Sequence, residues 1–171
     1  MAKVHVDSWR TTYKGIVPDD FLDGMSYATS EARWRRISAQ TSRAYAMFVA
    51  VDEGGNIVGF ATGGRERSGD EAFDGELYAI YLLQGYQRQG IGQALFRRIV
   101  QHLIAHGFRS MLIWVLADNP ACRFYESMGG VPVRDSEVDI GGKHLRELGY
   151  GWTDLRSLWM KQHVPDSNMD R

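Results

Sequence analysis

The 171-residue chain carries 20 basic and 21 acidic residues, a formal net charge of −1, and 44% of its residues are hydrophobic. This balance argues against a nucleic-acid partner bound mainly through charge, and the hydrophobic fraction excludes a disordered chain. A single cysteine, Cys122, excludes an internal disulfide and a multi-cysteine zinc site. No apolar run approaches the roughly 20 residues that a membrane span needs, and the first residues do not read as a signal peptide. We therefore expect a cytoplasmic globular protein with no metal, no nucleic-acid partner and no membrane partner.

The first third of the chain is predicted to be helical. Apolar and aromatic residues recur at near-helical spacing over residues 2–14, and Gly15 is placed to end this segment. A second helical stretch covers residues 18–22. Ser30 is positioned to cap a third helix, which carries Trp34.

The rest of the chain alternates between strands and helices. An amphipathic helix is predicted over residues 91–106 and a short helix over residues 119–128. The predicted strands are residues 44–51, 57–64, 75–82, 110–116, 131–140 and 144–152. The strand–helix–strand unit in the middle implies some parallel pairing. The fold class is therefore mixed α/β (α+β), in a single domain over residues 1–171 with a loose tail at residues 163–171.

The segment from Gln84 to Gly92 joins the third strand to the start of a helix. Its glycines let the backbone approach a ligand, and the free N–H groups of a helix start favour an anion such as phosphate. Arg88 can add a charge-assisted hydrogen bond. Taken alone, the glycines are equally well explained as turn residues. Their spacing matches neither a nucleoside triphosphatase loop nor a dinucleotide-binding loop.

Two motifs identify a family that this sequence resembles. The run Glu76-Leu77-Tyr78-Ala79-Ile80-Tyr81-Leu82, followed by Gln87-Arg88-Gln89-Gly90-Ile91-Gly92, resembles the central motif of the GCN5-related N-acetyltransferase (GNAT) superfamily, Arg/Gln-x-x-Gly-x-Gly/Ala after a strand. The run Asn119-Pro120-Ala121-Cys122-Arg123-Phe124-Tyr125-Glu126-Ser127-Met128-Gly129 resembles its second motif. The resemblance covers roughly residues 44–153. Residues 8–18 also resemble a bacterial branch that includes polyamine acetyltransferases.

The resemblance implies an enzyme that transfers an acetyl group from acetyl-CoA to the amine of a small molecule, by direct attack in a ternary complex. Coenzyme A would be the co-substrate, with no metal, and the mixed central sheet would be flanked by helices. Two alternatives stay open: an acyl-CoA-binding regulatory or interaction domain without catalysis, and a protein N-terminal or lysine acetyltransferase. A homodimer is a further expectation that the sequence does not decide.

The resemblance also implies which residues bind the cofactor. The pantetheine arm would pair with the backbone near Ile80, Tyr81 and Leu82, and Asn119 would contact it. The pyrophosphate would lie on N–H groups of Gln87, Arg88, Gln89, Gly90, Ile91, Gly92 and Gln93. Arg123 would reach the adenosine phosphates, or would be a solvated surface arginine. The spacing from Asn119 to Tyr125 is shorter than the common family form, so Asp118 is an alternative to Asn119.

Two catalytic residues are carried over from the family. Tyr125 matches the tyrosine that would donate a proton to the leaving thiolate, a role suited to a phenol with a pKa near 10. Glu76, at the start of the third strand, would accept the proton of the amine. The alternatives are that Tyr125 only packs the short helix against the sheet and that Glu76 is an exposed carboxylate at a strand end. In the latter case a water chain would take the proton of the amine.

Two further groups of residues lie where the family binds its acceptor. An acidic cluster flanks the expected mouth and would attract a cationic amine, or would simply be a solvated loop. Its members are Asp70, Glu71, Asp74 and Glu76. The aromatic residues of the helical segment that walls the acceptor pocket are Trp9, Tyr13, Tyr27 and Trp34. Some of them would contact the substrate, although most aromatics at helical spacing belong to the core.

The sequence departs from the family at its beginning. Family members normally start with a strand before the first helix, whereas this chain starts almost inside that helix. We therefore expect the usual first strand to be missing or truncated. The edge that it would cover would then be solvated or covered by another chain.

Overall fold

A six-stranded sheet with helices on both faces forms the described part of this computed structural model, residues 1–39 and 42–163. The helices are α1 Ala2–Thr12, α2 Asp19–Gly24, α3 Tyr27–Ala39, α4 Ile91–Ala105, α5 Cys122–Ser127 and α6 Leu155–His163, with a 3₁₀ turn at Gln84–Tyr86. The strands are β1 Ala46–Val51, β2 Ile57–Arg65, β3 Gly75–Leu82, β4 Met111–Leu116, β5 Val131–Ile140 and β6 Lys143–Trp152. The predicted fold class, a mixed sheet flanked by helices, is confirmed.

The strand order in the sheet is β1-β2-β3-β4-β6-β5. The pair β3–β4 is parallel, as the strand–helix–strand pattern predicts, and the other pairs are antiparallel. In the described residues no strand precedes β1, which lies at one edge and pairs with β2 alone. Val49 and Val51 of this edge strand are exposed.

The amphipathic helix α4 covers one face of the sheet. Leu95, Ile99 and Leu103 are buried there, as their four-residue spacing predicts. Each such side chain contributes about 1.5–3 kcal/mol on burial. The opposite face is covered by α1 and α3, where Val4 and Trp34 pack against Phe60 of β2. Substrate could therefore enter only where strands or helices separate.

The parallel strands β3 and β4 separate soon after they begin. They pair at Gly75–Met111 and Glu76–Leu112 and no further along β3. The carboxylate of Asp74 joins the two strand starts, since it accepts hydrogen bonds from the backbone N–H groups of Arg109 and Ser110. A bulge in the β2–β3 register leaves Tyr78 unpaired just beyond this point. The two strands are thus joined at one end and apart at the other.

One predicted helix cap is corrected, and one helix was missed. Ser30 does not cap α3 but lies within it, where its Oγ is 2.9 Å from Nδ1 of the buried His5. Ser26 performs the capping, because its Oγ accepts the N–H of Thr29 at 3.1 Å. Helix α6 was not predicted, although Asp154 is a standard capping residue whose carboxylate accepts the N–H of Ser157. The predicted tail begins at the last residue of α6, and residues 164–171 lie outside the described residues.

Candidate active site

A cavity of about 1050 Å³ occupies the gap between β3 and β4. This volume lies just above the usual range for ligand sites, about 300–1,000 Å³. Its walls come from β3 residues 78–82, β4 residues 113–115, the end of α1, the loop before α4, and α5. A long ligand could therefore run between the strands from the loop to α1.

The loop before α4 forms a backbone cradle at one end of this cavity. Gly90, the N-cap of α4, has a φ of 81°, and Arg88 has a φ of 64°. No side chain caps the helix, so the N–H groups of its first turn are available to an anion. The side chains of Gln87 and Gln89 donate to the carbonyls of Leu82 and Gly85, both at 3.2 Å. These two side chains hold the loop in place. The backbone N–H of Gln87 is itself donated to the carbonyl of Gln84 at 3.2 Å, so the N–H groups nearer α4 are the ones available to an anion.

Most of the residues predicted to bind the cofactor lie around this one cavity. The lining residues among them are Ile80, Tyr81, Leu82, Gln87, Arg88, Gly90, Gly92, Gln93, Asn119 and Arg123. Gln89 and Ile91 instead line a smaller cavity beside Asp52. The side chain of Ile91 packs against the core under α4, so only its backbone can take part in the cradle.

Asn119 lines the cavity, but its side chain is already engaged. Its Oδ1 accepts the N–H of Ala121 at 2.8 Å and its Nδ2 donates to the hydroxyl of Tyr13 at 3.1 Å. Asn119 thus starts the turn into α5 and ties it to the end of α1. The alternative residue, Asp118, is exposed and does not line the cavity.

Tyr125 is buried, with 4% of its surface exposed, and lines the cavity. Its hydroxyl makes no hydrogen bond to any residue within 1–39 and 42–163. Burial raises the pKa of Tyr125 well above its usual value, with smaller contributions from Tyr13, Tyr81 and Cys122. The phenol is therefore protonated at neutral pH and has a hydrogen to donate into the cavity.

Glu76 does not reach the cavity. Its side chain is buried and is held by Arg67, whose Nη2 lies 2.7 Å from one carboxylate oxygen. The backbone N–H and the Nε of Arg67 donate to the other oxygen at 3.0 and 3.1 Å. The exposed-carboxylate interpretation of Glu76 is thus wrong. The carboxylate accepts three hydrogen bonds from Arg67 and does not line the cavity, and its role as the base for the amine stays a prediction.

The acidic cluster at residues 70–76 serves internal contacts. Asp70 accepts two hydrogen bonds from the guanidinium of Arg134, at 2.6 and 3.0 Å. Asp74 holds the start of β4 and Glu76 holds Arg67. None of the four acidic residues lines the cavity. The carboxylates of Asp70, Asp74 and Glu76 are therefore engaged in hydrogen bonds within the protein.

Aromatic residues of α1 form the wall opposite the sheet. The indole Nε1 of Trp9 donates to the hydroxyl of Tyr81 at 3.1 Å, and the rings of Trp9 and Tyr13 lie 4.6 Å apart. Tyr13 lines the cavity, whereas Trp34 lies in the core and Tyr27 is exposed. Of the predicted aromatic set, Tyr13 is the residue that lines the cavity.

Several cavity residues were missed by sequence reasoning. They are Ser8, Thr11 and Thr12 of α1, Tyr78 of β3 and Trp114 of β4. Trp114 carries a usable signal, since it is the aromatic residue of an otherwise aliphatic strand. Ser8, Thr11 and Thr12 carry no such signal, because in the sequence they resemble surface residues of a helix. Only the packing of α1 against the sheet brings them to the cavity.

Neither a metal site nor a membrane span is found in the described ranges. Within residues 1–39 and 42–163, no three His, Cys, Asp or Glu side chains are grouped so as to hold a metal ion. In the same residues, no helix has the length and apolar character needed to cross a bilayer.

Comparison with known proteins shows the family by sequence. The model of the acetyltransferase (GNAT) family matches residues 6–130. The uncharacterized N-acetyltransferase YuaI of Bacillus subtilis (strain 168) is 46% identical over 158 residues, which cover 92% of this chain and 88% of YuaI.

Solved structures share the fold at low sequence identity. The structure of yncA from Salmonella typhimurium with its cofactor acetyl-CoA has a TM-score of 0.66 at 18% identity, over 97% of this chain and 90% of that one. The PaiA N-acetyltransferase of Thermoplasma acidophilum, in complex with coenzyme A, has a TM-score of 0.60 at 17% identity, over 86% and 88%. With its sequence matched over more than half its length and its fold shared, the chain belongs to the acetyltransferase (GNAT) family of N-acetyltransferases.

Proposed function

We propose that this N-acetyltransferase uses acetyl-CoA as donor and acetylates the amine of a small molecule, with both substrates bound together. One observation carries the proposal: a single cavity runs between the separated strands from the anion cradle before α4 to the hydroxyl of Tyr125. The cradle suits a pyrophosphate, and the hydroxyl suits proton donation at the reacting end.

The residues around the gap fit coenzyme A. The side of β3 that faces the gap is unpaired beyond Glu76, so its backbone is available to an amide-bearing arm such as pantetheine. Gly90 and the first turn of α4 would hold the phosphates, and Arg123, exposed at the cavity wall, would add a positive charge. When bound, acetyl-CoA supplies an activated acetyl thioester.

Tyr125 is assigned as the general acid. Its raised pKa keeps the phenol protonated, and the absence of a partner within the described residues leaves its hydrogen available to a leaving thiolate. The neutral amine forms the C–N bond as the C–S bond breaks, Tyr125 protonates the thiolate, and the proton that the amine loses passes to water and restores the phenol. In this proposal Asn119 acts indirectly, by fixing Tyr13 and the turn into α5. Glu76 is assigned a structural role, since it holds Arg67 at the start of β3.

The proposal is tested by following thiol release from acetyl-CoA with a panel of primary amines, in parallel with calorimetric binding of coenzyme A. We expect coenzyme A to bind and at least one amine to accelerate thiol release. Binding of coenzyme A without release by any amine would contradict the enzyme assignment and would favour a regulatory domain. Acetylation of peptides with no small amine accepted would contradict the substrate class.

A further inference from the structure

Tyr13, which follows the last residue of α1, has a hydroxyl that accepts one hydrogen bond and donates none within residues 1–39 and 42–163. The bond comes from the side-chain amide of Asn119, whose Nδ2 lies 3.1 Å away. The orientation of this amide is fixed, because its Oδ1 accepts the backbone N–H of Ala121 at 2.8 Å. An amide nitrogen can only donate, so the phenol oxygen must be the acceptor. The hydrogen of the Tyr13 hydroxyl therefore remains available to a ligand.

The side chain of Tyr13 is held at the wall of the cavity between β3 and β4. Tyr13 is only partly buried and lines this cavity, and so does Asn119, the residue that its hydroxyl contacts. The ring of Trp9 packs against the ring of Tyr13, with centroids 4.6 Å apart. The phenol is thus fixed both through its ring and through its oxygen.

Tyr13 is also connected to the helix that carries Tyr125. Asn119 begins the turn into α5, and there the N–H of Tyr125 donates to the carbonyl of Ala121 at 3.1 Å. Burial raises the pKa of Tyr125, and nearby Tyr13 adds to this rise. Two phenols whose hydrogens have no acceptor among the described residues therefore line one cavity, joined by a single turn of chain.

Tyr81 is the other phenol of this wall, but its hydroxyl is placed differently. It accepts the Nε1 hydrogen of Trp9 at 3.1 Å, and Trp9 does not line the cavity. The ring of Tyr81 packs against the buried His5, with centroids 5.2 Å apart. The hydroxyl of Tyr81 is therefore directed to the interface with α1, whereas that of Tyr13 meets a residue of the cavity wall.

Acetyl transfer requires a hydrogen-bond donor at a second atom besides the sulfur. As the amine nitrogen bonds to the thioester carbon, electron density moves onto the carbonyl oxygen, and it returns as the C–S bond breaks. A donor placed at this oxygen contributes about 10²–10³ in kcat. Tyr125 is assigned to the sulfur, so the oxygen needs another group. Burial raises the pKa of Tyr13, which keeps this second phenol protonated and able to donate.

We propose that Tyr13 is a further catalytic residue, whose hydroxyl donates a hydrogen bond to the carbonyl oxygen of the acetyl thioester, and that Asn119 is its positioning residue. This inference rests on the proposed function. Tyr13 keeps its proton throughout: it stabilises the negative charge on the oxygen while the C–N bond forms and the C–S bond breaks. Tyr125 protonates the thiolate, and water takes the proton that the amine loses.

The first test is the substitution Tyr13→Phe, assayed with an amine that the wild-type protein acetylates. We expect kcat for thiol release to fall by about 100-fold, the lower end for the loss of one oxyanion donor. The affinity for coenzyme A should not change, because coenzyme A lacks the acetyl carbonyl. Tyr150→Phe is the matched control and should keep kcat, since the hydroxyl of Tyr150 ties β6 to Glu126 of α5 at 2.9 Å and does not line the cavity.

The substitution Asn119→Asp tests the positioning role by reversing one hydrogen bond. An aspartate can still accept the N–H of Ala121, but at about pH 8, far above its usual pKa, its carboxylate can only accept. The hydroxyl of Tyr13 would then donate to it, so the contact between α1 and α5 would persist while the hydrogen is lost to the ligand. We expect kcat to fall by a factor similar to that in Tyr13→Phe, with little change in Tm. The double variant should be no slower than Tyr13→Phe.

Infrared difference spectra identify the atom that Tyr13 contacts. A hydrogen bond to a carbonyl oxygen lowers the stretching frequency of that carbonyl. Acetyl-CoA isotopically labelled at its carbonyl carbon, bound without amine, should therefore absorb at a lower frequency in the wild-type protein than in Tyr13→Phe or Asn119→Asp. Tyr150→Phe should give the wild-type frequency.

The outcomes separate this inference from the proposed function. If the wild-type protein acetylates an amine while Tyr13→Phe keeps its kcat or its carbonyl frequency, this inference alone is overturned. Weaker binding of coenzyme A as the whole effect would place Tyr13 against the cofactor arm and would also overturn it. A double variant much slower than Tyr13→Phe would show that Asn119→Asp acts through its charge, against the positioning role. A wild-type protein that binds coenzyme A but releases no thiol with any amine would overturn both proposals.

Discussion

Tyr125 has a phenol that can donate a proton and Glu76 has a carboxylate that can accept one, but the surroundings of the two side chains differ. Tyr125 is buried beside an open cavity and its hydroxyl has no partner in the described ranges. Glu76 is equally buried, but three donors of Arg67 hold its carboxylate. A group that must exchange a proton with a substrate needs an open side, and only Tyr125 has one.

Substitution of Tyr125 by Phe tests its role as the acid. We expect kcat for thiol release to fall by about 10-fold or more, the lower end of a general-acid contribution. Because the hydroxyl has no partner among the described residues, Tm and the affinity for coenzyme A should hardly change. Tyr150→Phe is the matched control, since its hydroxyl donates to Glu126 at 2.9 Å and does not line the cavity. An unchanged kcat in Tyr125→Phe would remove Tyr125 from the mechanism.

Substitution of Glu76 by Gln distinguishes a structural role of this residue from a role as the catalytic base. We expect the free energy of unfolding to fall by about 1–3 kcal/mol, towards the low end because Arg67 is largely exposed. We also expect kcat to stay within about 2-fold, since general-base contributions of 10²–10⁴ require contact with the substrate. Urea unfolding and thiol release measure the two quantities. A kcat lower by about 100-fold at unchanged stability would restore Glu76 as the base.

At the level of elements, the loop before α4 is the part of the fold that the glycine pattern describes best. Its proposed role in binding an anion depends on backbone conformation: Gly90 lies in the left-handed region and leaves the first turn of α4 without a side-chain cap. The side chains of Gln87 and Gln89 hydrogen-bond back to the chain that precedes them. The cradle is therefore preorganised, and its anion affinity should depend on Gly90 more than on any glutamine.

Substitution of Gly90 by Ala should lower the free energy of unfolding by about 1–2 kcal/mol, because an L-residue is strained at this positive φ. The affinity for coenzyme A should fall with it, since the strain is relieved by moving the N–H groups of the cradle. Calorimetry with coenzyme A and urea unfolding give the two values. Gly85→Ala is the control, because a Cβ there meets open space without a positive φ. Equal effects at both positions would contradict the importance of the left-handed conformation.

At the scale of the whole molecule, the cavity results from two strands that are joined at one end and a helix that covers the other end. Asp74 and the short β3–β4 ladder join the strands at one end, while α1 covers the open end through its contacts with Tyr81 and Asn119. The N-terminal helices are in turn held together by the buried contact between His5 and Ser30. His5 also packs against Trp9, Trp34 and Tyr81. The packing of α1 against α3 and Tyr81 thus includes a buried histidine whose pKa is lowered by burial.

Stability should fall in mild acid because of His5. Burial, with a smaller effect of Arg33, lowers its pKa to about 4, whereas an unfolded histidine titrates near its usual value of about 6.5. The unfolded state therefore binds the proton first, so stability is fully present above about pH 6.5 and is lost as the pH falls towards 4. Urea unfolding over this range, with NMR titration of the imidazole, measures the effect. A slope that persists unchanged in His5→Gln would show that other groups cause it.

The sequence alone determined the order of the elements up to β6, the mixed sheet and the family, and it predicts an anion-binding loop before α4. These follow from short-range signals, namely apolar periodicity, glycines at a strand-to-helix junction and motifs that lie within a few residues of each other. Element ends were less well determined, since the caps Ser26 and Asp154 act through hydrogen bonds that the apolar pattern does not register.

Only the tertiary structure decided which polar groups are engaged and which are open. Glu76 meets Arg67 across a hairpin, Asn119 meets Tyr13 from the far end of the chain, and Ser8 and Glu147 have no such partner among the described residues. A residue's partners depend on which surfaces the fold brings together, and a single sequence records the residue types but not these contacts. The separation of β3 from β4 has the same origin, because Asp74 and the bulge at Tyr78 act only between neighbouring strands.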